Sequence, residues 1–74
     1  MKKDEIANLQ KFMQKRFELP SLTVKARPRK DDSAEVYIGD EFIGVIFRDD
    51  EDEDLSWSFS MAILEFDIEE MNAE

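Results

Sequence analysis

The residues with the most evident capacity for chemistry are the consecutive carboxylates Asp49 to Asp54, in the stretch RDDEDEDLSWSFSM. Carboxylates at alternate positions are what a calcium loop of the form D-x-[DN]-x-[DN]-G-x5-E uses, with glycine at the sixth place for the sharp turn and a bidentate glutamate at the last. Counted from Asp50, Asp52 and Asp54 fit, but Leu55 stands where glycine is needed and Met61 where glutamate is needed. Counted from Asp49, glutamates occupy the third and fifth places and Ser60 the last. The run is therefore read as a solvated, self-repelling loop, and no metal site is expected.

A second chemistry-bearing set is basic. Lys25, Arg27, Arg29 and Lys30 lie along a β-type segment and its turn, where cations could meet successive phosphates. The whole chain, however, carries 10 Lys and Arg against 19 Asp and Glu, a net charge of -9 that repels a polyanion. The charges are also unevenly placed: residues 1–30 hold nine basic and three acidic side chains, residues 31–74 one basic and sixteen acidic. Two halves of opposite sign neutralise each other in a small fold. A double-stranded-RNA-binding domain would share the helix–strands–helix order, but its basic second helix is replaced here by DIEEMNAE, and no glycine-rich phosphate loop is present. The four basic residues remain the candidates of an alternative, nucleic-acid-associated reading. The preferred reading has them guarding an edge strand and offsetting the acidic half.

The chain has no His and no Cys, which removes the commonest general base, the usual zinc ligands and the thiolate nucleophile. Its 74 residues leave little room for a pocket of several hundred cubic ångströms. Neither an enzyme, a cofactor nor a small-molecule substrate is expected. The start, MKKDEIANLQ, lacks the apolar core of a signal peptide, and no apolar run approaches the roughly 20 residues that span a bilayer. A cytoplasmic protein without membrane contact is the expectation.

The elements that must position these residues follow from periodicity. Ile6, Leu9, Phe12, Met13 and Phe17 fall on one face of a helix from about Lys3 to Glu18, ended by Pro20. From Leu22 the period changes to two, and a strand runs to Pro28, followed by a turn at KDDS. AEVYI and EFIGVIF form a hairpin around Gly39–Asp40, with a two-residue loop that pairs Val36 with Ile43 and places Val36, Ile38, Ile43, Val45 and Phe47 on one face. LSWSFSMAI is the fourth strand, its large odd-numbered side chains directed at the helix and into the core. A short helical turn from about Asp67 to Met71 closes the chain. The fold class is α+β: one domain over residues 1–74, an N-terminal helix packed on a four-stranded antiparallel meander, with frayed last residues.

In this register the second sheet face carries Glu35, Tyr37, Phe42, Gly44, Ile46 and the row Ser56, Ser58 and Ser60. Tyr37, Phe42 and Ile46 form its apolar centre and are the candidate partner-binding residues. The C-terminal segment, a second copy or another protein is expected to cover them.

The stretch RPRKDDSAEVYIGDEFIGVIFRDDEDEDLSWSFSMAIL, with EIANLQKF in the helix and DSAEVYIGDEFIGV as the most distinctive piece, resembles a family of short stand-alone alphaproteobacterial proteins catalogued as a domain of unknown function. The resemblance implies a complete bacterial, cytoplasmic protein and carries over no activity and no functional residue. The functional expectation is a small, acidic, non-enzymatic domain that binds another protein or itself.

Overall fold

The computed structural model describes residues 1–51 and 54–73. Asp52 and Glu53, at the centre of the acidic run, lie outside the described residues, so the loop reading of that run is seen only at its two ends. The element order is α1 (Lys3–Arg16), β1 (Leu22–Arg27), β2 (Lys30–Ile38), β3 (Glu41–Asp49), β4 (Ser56–Ser60) and α2 (Glu65–Asn72). The strands form one antiparallel sheet in the order β1-β2-β3-β4, so the α+β meander expected from the sequence is the fold.

Helix α1 has Asp4 and Glu5 in its first turn and Lys15 and Arg16 in its last, which complements the helix dipole. It packs on β1 through Met13, with Ile6 and Leu9 beside it, over a core of Leu22, Val24, Ala34, Val36 and Ile46. Burying a side chain such as Met13 is worth about 1.5–3 kcal/mol. Phe12 and Phe17, expected on the same inner face, instead lie at its margin and are exposed. The helix also closes the outer edge of β1: the Gln10 side-chain oxygen accepts the Val24 N–H at 3.0 Å, and the Gln14 amide donates to the Leu22 carbonyl at 2.8 Å. Two glutamines one turn apart thus occupy backbone groups that would otherwise template aggregation.

The β1–β2 connection is tighter than the sequence suggests. Pro28 and Arg29 make the turn and Arg27 already pairs with Lys30, so Lys30, Asp31, Asp32 and Ser33 belong to β2, with a bulge before Ala34. The β2–β3 hairpin has the expected two-residue loop. Gly39 has φ 60 and is the only loop residue in the left-handed region, as a II′ turn demands at its first central position.

Beyond the loop, the expected register fails after two pairs. Ile38 faces Glu41 and Tyr37 faces Phe42, but Val36 faces Gly44, which leaves Ile43 as an extra residue on β3. One inserted residue reverses the alternation of everything that follows. Gly44 and Ile46 therefore join Val36 beneath α1, while Val45 and Phe47, expected there, turn to the far face. Gly44 is needed at this point because the Phe59 ring and the Ser60 carbonyl of β4 close over it; a Cβ would stand 2.7 Å from Phe59 Cε1 and closer still to the Ser60 oxygen.

After β4 the chain runs extended through residues 61–64 and enters α2, which has no buried residue. The Asp67 carboxylate accepts the Leu64 N–H at 3.1 Å, so Asp67 is the third residue of this helix, not its cap. The helix accordingly starts two residues earlier than expected and, among the described residues, is not packed against any other helix or strand, in a molecule that measures 45 Å along one axis against 24 and 23 Å across.

Gly44→Ala forces a methyl into backbone and ring at once. It is expected to destabilise the protein by about 1–3 kcal/mol in chemical denaturation, with loss of β3–β4 amide protection ahead of β1–β2.

Candidate functional site: an open apolar groove between α1 and β4

A helix lying along β1 leaves the helix side of β4 uncovered, whereas Gly44 and Ile46 of β3 are buried. Ile46 pairs with Phe59 and Arg48 with Trp57, which puts these β4 side chains on the same face as α1. The sequence expectation that Trp57 and Phe59 face the helix holds, but the expectation that they are core does not: both are 37% exposed. Phe12 (65% exposed) and Phe17 on α1 stand opposite Leu55, Trp57 and Phe59. Between them lies an open groove of about 780 Å³ floored by Ile46. An apolar groove with aromatic walls and charged ends has the composition of a docking surface.

One carboxylate fixes its mouth. Glu5 Oε2 accepts the indole N–H of Trp57 at 2.8 Å and lies 3.5 Å from Arg48 Nε, so the first turn of α1 is tied to both β3 and β4. Lys2, Asp4 and Arg16 complete the charged rim.

The residues singled out from the sequence fall into two separate places. Tyr37 and Phe42 are on the far face, as expected, in an edge-to-face contact with ring centroids 5.7 Å apart. Ile46 is not with them: the β3 bulge turns it to the helix side, where it is 2% exposed. The patch proposed from the sequence is thus divided by the sheet. Val45 and Phe47 take the place of Gly44 and Ile46 on the far face, and Ser56, Ser58 and Ser60 line up there as expected.

Of the basic set, Lys25 lies 4.5 Å from the centroid of the Tyr37 ring, and Arg27 donates to the Ser33 hydroxyl at 3.2 Å. Both cations are engaged within the chain. Arg29 occupies the β1–β2 turn and Lys30 opens β2, both exposed. Among the described residues no cluster of His, Cys, Asp and Glu is arranged to hold a metal, and no helix is long and apolar enough to cross a membrane.

For the groove residues Phe12, Phe17, Leu55, Trp57 and Phe59, alternation and helical spacing reveal which face a side chain joins. They do not reveal whether another element covers that face. The signal that could have found them is width: four strands and one helix long enough to reach the sheet.

Fold and site together define a small α+β domain that presents an aromatic groove. The chain belongs to the family described as Protein of unknown function (DUF3126), whose model matches residues 5–67. No curated protein and no solved structure matches it.

The far face supplies a pH signature. The Tyr37 hydroxyl donates to Glu35 Oε1 at 3.0 Å; this hydrogen bond, then burial and the Glu35 charge, raise the phenol above its ordinary value near 10. Because the folded value lies above the unfolded one, the associated stability is present below about pH 10 and is lost as pH rises through the raised value. An absorbance titration of this single tyrosine should give a midpoint above 10 that Glu35→Ala moves back towards 10.

Proposed function

We propose that this protein is a non-catalytic interaction domain of the bacterial cytoplasm, and that it acts by docking an apolar protein segment in the groove between α1 and β4. The observation that carries the reading is the row Phe12, Phe17, Leu55, Trp57 and Phe59, all large, apolar and exposed around one concavity. Single exposed apolar residues are ordinary on protein surfaces; five converging on one groove in a chain of 74 residues are not. The chain's chemistry supports the non-catalytic part, since it offers no histidine or cysteine to serve as general base or thiolate nucleophile. The far-face pair Tyr37 and Phe42 is the weaker docking candidate, being two rings without a concavity built around both. The nucleic-acid alternative loses support from the internal engagement of Lys25 and Arg27.

The test is association, read by co-purification and by solution mass. Phe12→Asp places a charge in the groove without touching the core and is expected to weaken association by at least about tenfold while circular dichroism stays unchanged. Phe42→Glu on the opposite face is expected to leave association intact. The opposite pattern, binding lost with Phe42→Glu and retained with Phe12→Asp, contradicts the reading.

A further inference from the structure

We infer that the segment which fills the groove is α2 of a second copy, so that two chains exchange their C-terminal helices. This inference rests on the reading of the groove as a docking surface, and it names the occupant.

Helix α2 has the properties of a bound ligand separated from its site. Its eight residues, Glu65–Asn72, are fewer than the roughly 12–15 that an isolated helix needs to persist in water, and none of them is buried on its own chain. It nevertheless displays an apolar stripe: Leu64, Ile68 and Met71 follow i, i+4, i+7 spacing and are 59%, 45% and 60% exposed. A helix in this position gains its stability from a surface that receives the stripe. Phe66 stands on the opposite side of the helix and takes no part in that contact.

The groove fits in length and in charge. Eight residues make a rod of about 12 Å, shorter than the 14-residue α1 that forms one wall. Around the stripe α2 carries Glu65, Asp67, Glu69 and Glu70, and the chain has no Lys or Arg after Arg48. The groove supplies the missing cations in Lys2 and Arg16, while Arg48 is already paired with Glu5. Of its two acids, Glu5 is already held by Trp57 and Arg48, which leaves Asp4 as the one unfavourable rim charge. Opposite charge at the ends of an apolar seat sets the orientation of the helix within it.

A second copy is the favoured source because, among the described residues, α2 is not packed against any other helix or strand of its own chain, in a molecule 45 Å long. An exchange about a two-fold axis makes the same contact twice. With an aromatic side chain carrying roughly 150–250 Å², the half-exposed groove and stripe residues of two copies would remove on the order of 1,500 Å² from water. That is close to the roughly 1,600 Å² of a standard specific interface.

The absence of native cysteine makes the test direct. Two full-length single-cysteine chains, Ile68→Cys and Phe12→Cys, are mixed and mildly oxidised. The expected product is a mixed disulfide dimer, from a wild-type protein whose light-scattering mass is about twice 8.7 kDa. Ile68→Asp with Met71→Asp should raise the dissociation constant at least about 100-fold without unfolding the domain, since neither side chain is buried in it. Three results would overturn the inference. A monomer in which Ile68→Cys and Phe12→Cys in one chain close an internal disulfide means that α2 is a lid on its own groove, and this also removes the docking function. A dimer that cross-links through Ser58→Cys alone, and not through the mixed pair, means that the unprotected edges of β4 pair instead. A monomer with no cross-link leaves the groove to a different protein, and the proposed function stands without the exchange.

Discussion

An α-helix is about 10 Å across and neighbouring strands are about 4.8 Å apart, so one helix covers roughly two strands of a four-stranded sheet. The architecture depends on how α1 resolves this shortage. Gln10 and Gln14 draw it to the outer edge of β1, where they bond Val24 and Leu22, and Met13 joins the core. Placed there, the helix leaves the side chains of β4 exposed. The groove is the consequence of a helix placed to protect one edge and seal one half of a core.

The two edges of the sheet are accordingly treated differently. β1 is closed by helix side chains and flanked by Pro28, whereas β4 is a short strand of alternating serine and aromatic residues without charge, proline or bulge. The well-buried apolar residues, Met13, Leu22, Val24, Ala34, Val36 and Ile46, all lie on the α1 side, and most come from β1 and β2. A core this small gives a domain of modest stability, in which about 60% of the unfolded surface is buried. Under the proposed docking, burial of the groove aromatics would add to that stability as well as to affinity, and folding and binding would be linked.

Much of the fold is legible in the sequence because each element carries its own period. The helical spacing of Ile6, Leu9 and Met13, the alternation from Leu22, the Gly39–Asp40 loop and the serine row all appear where local patterning puts them. Two features escape for a physical reason. The bulge at Ile43 costs no hydrophobicity, since Ile43, Val45 and Phe47 on one face look as plausible as Gly44 and Ile46; only the close approach of β4 to Gly44 selects the second arrangement. Burial is the other: Trp57 and Phe12 satisfy every periodic criterion for a core, and their exposure follows from the finite width of α1. The bulge divides the apolar patch of Tyr37, Phe42 and Ile46 that the sequence predicts, and the width of α1 opens a groove that periodicity alone does not reveal.

Trp57 is the chain's only tryptophan and lies in the wall of the groove, so its emission reports directly on whether that wall faces water. The decisive measurement is its emission maximum across a dilution series of the full-length protein. If the groove is open in the single chain and closed by association, the maximum shifts to the red on dilution, with the same midpoint as the fall in mass. A blue, concentration-independent maximum in a protein whose mass is that of one chain would mean that the single chain already covers Trp57, and would contradict the account.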